Sequence, residues 1–97
     1  MPTYMIEYTY DDRTEERMSH RPDHLAYLNG LVDTGTMLAF GRFDDDGEPG
    51  ALLIVETDDS ETVEGIVSHD PYVVSGLVPS HRIRSWPVIW GTIVAKD

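Results

Sequence analysis

The hydrophobic pattern of this chain alternates between the period of a strand and that of a helix, and the order of these segments constrains the fold more than any single motif. Residues Thr3–Tyr10 alternate and are rich in aromatic and β-branched side chains, which predicts a half-buried strand. The charged segment 11–17 is interpreted as a turn at which a helix could open. Aliphatic residues then recur at helical spacing: Leu25, Leu28, Leu31 and Val32. Because proline suits a first helical turn and glycine a helix end, this helix is predicted to begin near Pro22 and to stop at Gly35.

Two further strand-like segments follow, separated by a loop. A strand is predicted over residues 37–43, which contain Met37, Leu38 and Phe40. The acidic segment 44–50 contains several turn-forming residues, so it is interpreted as a solvated hairpin loop. The continuous apolar run 51–55 is typical of a strand that is buried on both faces.

The last third of the chain returns to a helix and then to a strand. A second helix, capped by one of residues 58–60, would turn Val63, Ile66 and Val67 inward and end at Asp70-Pro71. Residues 72–76 would form a short turn or helix. The last strand is predicted over residues 83–95, where Pro87 requires an edge position or a bulge because it has no N–H to donate.

This order, β-α-β-β-α-β, is the split βαβ pattern of ferredoxin-like domains. It predicts an α+β fold with a four-stranded antiparallel sheet and both helices on one face. We expect a single domain over residues 1–97, since no repeat or linker divides the chain. The other face of such a sheet is normally covered by a second copy, so a homodimer is expected.

The charge balance of the chain excludes several classes of partner. Its 18 acidic and 7 basic side chains give a formal net charge of −11 at pH 7, and Lys96 is its only lysine. Phosphate backbones and anionic membrane surfaces would be repelled by most of such a protein, so neither a nucleic acid nor a membrane is expected as a partner. An acidic, lysine-poor surface is also typical of proteins that work in high salt, which gives a hypothesis about habitat.

The absence of cysteine excludes a second group of functions. Disulfide scaffolds, thiolate zinc sites, iron–sulfur clusters and cysteine nucleophiles all require that residue. No segment approaches the ~18 apolar residues of a membrane span, and the N-terminal residues do not have the pattern of a signal peptide. We therefore expect a soluble, cytoplasmic protein.

His24 is the first candidate functional residue. On the predicted helix it lies on the same side as Leu28 and Leu31, so it borders the buried stripe and points toward a sheet edge or a pocket. A histidine at an internal interface, bonded to a backbone carbonyl, would explain this position without any catalytic role. Position alone favours that explanation over a functional one.

Asp70 is the second candidate. An aspartate before a proline can cap a helical turn that has Pro71 at its first position, which is a purely structural use. A functional role requires Asp70 to lie near His24, where its carboxylate could orient the imidazole. The split βαβ fold permits this contact, because the loop after the second helix can approach the start of the first. Asp33 is excluded as the partner, since it lies about two and a half helical turns from His24 and faces away.

The histidines were also tested as metal ligands. His20 and His24 are four residues apart, a spacing that chelates zinc on a helix, but a helix that begins at Pro22 would separate them. His69 adds one further candidate ligand, and His81 is expected in a connecting loop. We therefore predict no metal site and no cofactor, since haem or flavin chemistry has no residue support beyond these histidines.

Trp86 and Trp90 are the remaining conspicuous side chains. On the predicted last strand they are four residues apart and share one face, which suits either dimer packing or the lining of a small apolar cavity. The glycines form no phosphate-binding loop, and no serine lies in a nucleophile elbow.

Two segments together resemble the YciI-like protein family. The first is Arg21–Leu28, with the sequence RPDHLAYL, followed by Gly35 and Gly41. The second is Ser68–Leu77, with the sequence SHDPYVVSGL, and Arg84–Trp86 resembles the basic-to-aromatic ending of the family. Each motif is weak alone, but the match covers nearly the whole chain in the right order.

The resemblance implies a ferredoxin-like dimer related to the dimeric α/β barrels. It also implies an active site built on a histidine and an aspartate, which fall here on His24 and Asp70. A few relatives act on small cyclic or aromatic catabolic intermediates, among them a dehydrochlorinase and, more distantly, muconolactone isomerases. The family usually has Gly-Pro after the second strand, whereas this chain has Gly41-Arg42, so Arg42 either places a cation at the pocket mouth or pairs with neighbouring acids.

Two functional hypotheses follow. In the first, the protein is a cofactor-independent enzyme of the lyase or isomerase type, with His24 as general acid or base and Asp70 fixing its tautomer. Its substrate would be a small cyclic or aromatic metabolite. In the second, the protein is a non-catalytic dimer that binds a small ligand or has a regulatory role, and both residues are structural or contact the ligand.

Overall fold

A computed structural model describes residues 2–91 and residue 93 of the chain. Its elements follow one another in this order: β1 (Thr3–Thr9), α1 (Thr14–Asp33), β2 (Met37–Arg42), β3 (Gly50–Glu56), α2 (Ser60–His69), α3 (Pro71–Val74) and β4 (Ser80–Ser85). The four strands form one sheet in the order β2-β3-β1-β4, and every neighbouring pair is antiparallel. The predicted α+β, ferredoxin-like architecture is therefore confirmed.

The core lies between the helices and one face of this sheet. On the central strand β1, Ile6 is paired with Leu53 of β3 and with Ile83 of β4, so these three side chains share a face. Leu28 of α1 and Val63 of α2 belong to the same buried cluster. None of Ile6, Leu28 and Leu53 is more than 1% exposed. Close packing against this face of the sheet therefore positions the helices and their side chains.

The opposite face of the sheet carries the alternate residues. Met5 is paired with Ile54, and Glu7 lies beside Arg82 with 3.3 Å between their charged groups. Ile54 is only 5% exposed, yet it does not belong to the buried cluster under the helices. This outer face therefore combines apolar positions with an ion pair.

The first helix begins earlier than predicted, at Thr14 rather than near Pro22. The charged segment before it is ordered by Asp11, whose carboxylate accepts from the backbone and guanidinium of Arg13, while its carbonyl accepts from Arg17 at 3.0 Å. Pro22 consequently lies inside the helix, where it lacks the N–H that would bond one turn back. His20 and His24 therefore do lie one turn apart on one helix, contrary to the sequence-based expectation.

The prediction for the last strand, residues 83–95, is wrong in part. β4 covers Ser80–Ser85 and thus includes His81, which was expected in a loop. No strand continues through residues 86–91, because Pro87 cannot donate to a ladder; the last bond to β1 runs from Trp86 N to Thr3 O at 2.8 Å. Residues 92, 94 and 95 lie outside the described residues.

The prediction that the two tryptophans share one face of a strand is therefore wrong. Trp86 directly follows β4, and Trp90 lies in the irregular segment beyond it. They are 44% and 91% exposed, and together with the residues between them they line a shallow surface depression.

Several local predictions are confirmed. Asp59 caps α2 by accepting from the backbone N–H of Thr62. The exposed loop between β2 and β3 is also present, but it covers residues 43–49 rather than the predicted 44–50. Gly50 begins β3 where a Cβ would overlap the carbonyl oxygen of Tyr8, so only glycine allows β3 to approach β1 this closely. None of the helices within the described residues is both long and apolar enough to cross a membrane.

Candidate functional site

The structure brings His24 and Asp70 together across two helical elements. Nδ1 of His24, on α1, lies 2.8 Å from Oδ1 of Asp70, which stands between α2 and α3. His24 is 6% exposed and Asp70 is fully buried. The loop after the second helix thus reaches the first helix, as a split βαβ fold permits, and the two residues are in hydrogen-bond contact.

Asp70 occupies this position because of the proline that follows it. Its extended backbone conformation (φ −64°, ψ 127°) is the one favoured before proline, and Pro71 is the first residue of α3. The side chain caps that helix by accepting from the backbone N–H of Tyr72 at 3.0 Å. The predicted structural use of Asp70 is therefore real, and the same oxygen serves both the cap and His24.

Tyr8 completes the set of groups around Asp70, and sequence reasoning did not assign it to the site. Its hydroxyl donates to Oδ2 of Asp70 at 2.9 Å from the central strand β1. Burial, followed by the charge and hydrogen bond of Asp70, raises the pKa of Tyr8, so the side chain stays a phenol that donates. An inward-facing tyrosine on a central strand needs a partner for its hydroxyl, and this requirement is the sequence signal that could have identified Tyr8 as part of the site.

These contacts fix the tautomer of His24. A carboxylate can only accept hydrogen bonds, so in the neutral imidazole Nδ1 carries the proton and Nε2 keeps its lone pair. No described group bonds to Nε2, and among the described residues no buried side-chain nitrogen or oxygen lacks a partner. Nε2 therefore retains access to the cleft that His24 lines.

An aromatic stack fixes the plane of the same ring. The rings of His24 and Tyr72 lie 3.8 Å apart with 3° between their planes. Tyr10 meets Tyr72 edge to face at 5.8 Å, and the guanidinium of Arg17 lies 4.5 Å above the ring of Tyr10. The imidazole is thus held by a hydrogen bond in its plane and by an aromatic face above it.

The cleft beside His24 lies between α1 and the adjoining ends of β2 and β3. It has a volume of about 630 Å³, the size class of pockets that hold small molecules. Its apolar wall includes Leu25, Leu28 and Phe40. Arg42 lies at this cleft and also 3.9 Å from Asp44, so both roles considered for it from the sequence are observed.

The remaining sequence candidates lie apart from this pair. Asp33 is exposed at the end of α1, and Nδ1 of His69 lies 2.7 Å from the carbonyl of Gly65 on its own helix. His81 is 3.7 Å from Glu64. Within residues 2–91 and 93 no three or more histidine or acidic side chains are placed to hold a metal ion.

Comparison with known proteins gives the family of the chain. A sequence model of the YCII-related domain matches residues 1–87. The chain is 36% identical over 87 residues to Protein YciI from Escherichia coli O6:H1, a match that covers 81% of this chain and 89% of that protein. Protein YciI from Shigella flexneri matches with the same identity and coverage.

Two solved structures share the fold. One is 5-chloro-2-hydroxyhydroquinone dehydrochlorinase (TftG) from Burkholderia phenoliruptrix AC1100 in complex with 2,5-dihydroxybenzoquinone, with 24% identity, a TM-score of 0.74, and 88% of this chain and 93% of that chain covered. The other is At3g17210 from Arabidopsis thaliana, with 13% identity, a TM-score of 0.50, and 95% and 99% covered. The family match extends over the RPDHLAYL and SHDPYVVSGL segments that carry the resemblance. This chain belongs to the YCII-related domain family.

Proposed function

We propose that the protein is a cofactor-independent enzyme that uses His24 and Asp70 for acid–base chemistry on a small cyclic or aromatic metabolite. One observation carries the proposal: Nδ1 of His24 is held by a fully buried carboxylate, while Nε2 keeps its lone pair at a cleft. A general base needs an accessible lone pair within hydrogen-bond reach of the proton that it removes.

His24 would take a proton from an acidic O–H or C–H of the bound compound through Nε2. The electron pair left on the compound then either forms a new double bond as a leaving group departs, or is protonated at another atom by the imidazolium. The first outcome is an elimination and the second an isomerisation. Asp70 would hold the imidazole ring in place, and its carboxylate would balance the positive charge of the ring while both ring nitrogens carry protons.

One of the two solved structures supports the choice of substrate class. The dehydrochlorinase with the same fold acts on a chlorinated hydroxyhydroquinone and was solved with a dihydroxybenzoquinone bound. The apolar wall and volume of the cleft in this chain suit a ring of that size. We therefore take hydroxylated aromatic rings and quinones as the first compounds to test.

The proposed active form is a homodimer in which the outer face of the sheet is covered by a second copy. Met5, Leu52 and Ile54 lie on that face, on the side away from the helices. Glu7 and Arg82 on the same face carry opposite charges, and a twofold contact can place each of them beside the oppositely charged residue of the second copy.

The experiment is a comparison of His24→Ala with His20→Ala. His20 lies one turn away on α1 and contacts Ser75 at 3.4 Å rather than Asp70, so its removal is a matched control. With a panel of hydroxyhydroquinones and 2,5-dihydroxybenzoquinone, we expect His24→Ala to lower kcat/KM about 10²–10⁴-fold and His20→Ala to leave it near the wild-type value. Full activity of His24→Ala would refute the proposal, and binding without turnover in the wild-type protein would favour the ligand-binding alternative.

A further inference from the structure

The lining of the cleft carries arginines, and the nearest carboxylates stand behind its lining residues. Three arginines line it, Arg17, Arg21 and Arg42, and no aspartate or glutamate does so among the residues that the structure describes. The chain as a whole contains 18 acidic residues and only 7 basic ones. The cleft therefore presents guanidinium groups to a ligand in a protein whose net charge is strongly negative, while Asp11 and Asp44 lie 4.0 Å and 3.9 Å from Arg17 and Arg42.

Arg17 is the most informative of the three because it is only 5% exposed. Its guanidinium donates to two neutral oxygens, the carbonyl of Asp11 at 3.0 Å and the hydroxyl of Thr14 at 3.4 Å. The carboxylate of Asp11 is 4.0 Å away, because Arg13 holds it at 2.7 Å. A buried cation that shares its nearest counter-ion with a second arginine is only partly balanced, and an anion in the cleft would balance it further.

Arg17 is also connected to the candidate active site through aromatic rings. It lies above Tyr10, Tyr10 meets the edge of Tyr72, and Tyr72 stacks on His24. The cation and Nε2 of His24 thus belong to one cleft. A ligand that contacts both would have its negative charge at one end and its reacting group at the other.

We propose that the cleft selects a small aromatic or cyclic anion, whose negatively charged oxygens are bound by the arginines while the ring lies against the apolar wall beside His24. This inference rests on the proposed function and adds the charge of the substrate to it. Guanidinium groups bind carboxylates and other oxyanions through charge-assisted hydrogen bonds, often in pairs. No carboxylate lines the cleft within the described residues, so such a ligand would meet less repulsion there than on the acidic remainder of the surface.

The test measures binding of two matched pairs of compounds to the full chain by NMR titration. Salicylate and salicylamide differ in the charge of a carboxyl group, whereas 4-nitrophenolate and 4-nitroanisole differ in the charge of a phenol oxygen. In the wild-type protein we expect at least one anion to bind about tenfold more tightly than its neutral partner, or more. The pair that shows the preference identifies which kind of oxyanion the cleft takes.

Variants then assign the preference to the cleft. The double variant Arg21→Gln/Arg42→Gln removes two charges from exposed side chains, and Arg17→Met removes the buried one. We expect these changes to weaken binding of the preferred anion about tenfold or more and to leave binding of its neutral partner unchanged. Arg82→Gln removes a charge of the same sign from the outer sheet face and serves as the control.

Three results would overturn the inference. These are equal binding of charged and neutral partners, no binding of either anion at millimolar concentration, and anion binding that neither the double variant nor Arg17→Met weakens. If Arg17→Met fails to fold, the double variant decides. The binding titration does not depend on turnover, so this inference and the proposed function can fail separately. Selective anion binding by a protein that shows no turnover would refute only the proposed function. Turnover that depends on His24 but shows no preference for anions would refute only this inference.

Discussion

Nδ1 of His24 lies 2.8 Å from Oδ1 of Asp70, the same oxygen that caps helix α3. The cap requires this oxygen to accept from the backbone N–H of Tyr72, a donor that cannot be turned around. The orientation of the carboxylate is therefore fixed by the fold before any ligand arrives. The tautomer of His24 follows from that orientation.

This shared oxygen leads to a prediction for Asp70→Asn. The amide oxygen should take the place of Oδ1, since only an acceptor satisfies Tyr72, and the amide nitrogen would face the hydroxyl of Tyr8, which can rotate to accept. The variant should keep the His24 tautomer and lose only the negative charge. We expect kcat/KM to fall about 10–100-fold, and a loss as large as that of His24→Ala would show that the charge is not the only thing removed.

Alkaline unfolding should report the Tyr8–Asp70 contact. Burial raises the pKa of Tyr8 above its ordinary value of 10.0, so above that pH the unfolded chain loses a proton that the folded protein keeps. The stabilisation is thus complete below pH 10.0 and is lost as the pH rises further. The free energy of unfolding should fall there by up to about 1.4 kcal/mol per pH unit for this group.

Urea titrations of the wild-type protein and Tyr8→Phe between pH 8 and 11 measure this effect. Tyr8→Phe should be less stable at pH 8 by about 1–3 kcal/mol, because Oδ2 of Asp70 loses its donor. Above pH 10 its stability should decline less steeply than that of the wild type. Identical slopes in the two proteins would contradict the assignment.

The stack between Tyr72 and His24 predicts different results for two substitutions. Tyr72→Phe keeps the ring, so its stability should stay within about 0.5 kcal/mol of the wild type. Tyr72→Leu removes the stacked face and part of the core and should cost about 1–3 kcal/mol. Thermal unfolding of both variants checks this, and an equal loss in the two would show that the ring face contributes little.

The proposed dimer can be tested on the outer face of the sheet. Leu52→Asp places a charge among Met5 and Ile54, whereas Ala26→Asp adds the same charge to an exposed position of α1. Light scattering after size-exclusion chromatography should give a dimer for the wild type and Ala26→Asp, and a monomer for Leu52→Asp. A monomeric wild-type protein would refute the proposed assembly.

The fold could be predicted because each element carries its own local pattern. The alternation of Thr3–Thr9 and the apolar run that begins at Ala51 indicate strands whatever surrounds them, and their order selects the topology. The start of α1 could not be predicted, since it depends on Arg17 reaching back to the carbonyl of Asp11. The predicted end of β4 is too late, because the hydrophobic strand pattern continues past Pro87 whereas the hydrogen bonds to β1 end at Trp86.

The candidate site was predictable only in part. His24 and Asp70 follow from the family motifs and from the side of a helix that His24 occupies, but their contact depends on how α1 and α3 pack. Tyr8 belongs to a strand far away in sequence, and no local pattern connects it with Asp70. A cation at the pocket mouth was suggested by the sequence only for Arg42, and only the folded protein shows that Arg17 and Arg21 line the same cleft.

The protonation of the two His24 ring nitrogens tests the central claim most directly and requires no substrate. Long-range ¹H–¹⁵N correlation spectra of the imidazole at alkaline pH, where histidine is neutral, distinguish a protonated nitrogen from one with a lone pair. The account predicts that Nδ1 of His24 is protonated and that Nε2 is not. A neutral His24 that carries its proton on Nε2 would contradict both the contact with Asp70 and the proposed role of His24 as a base.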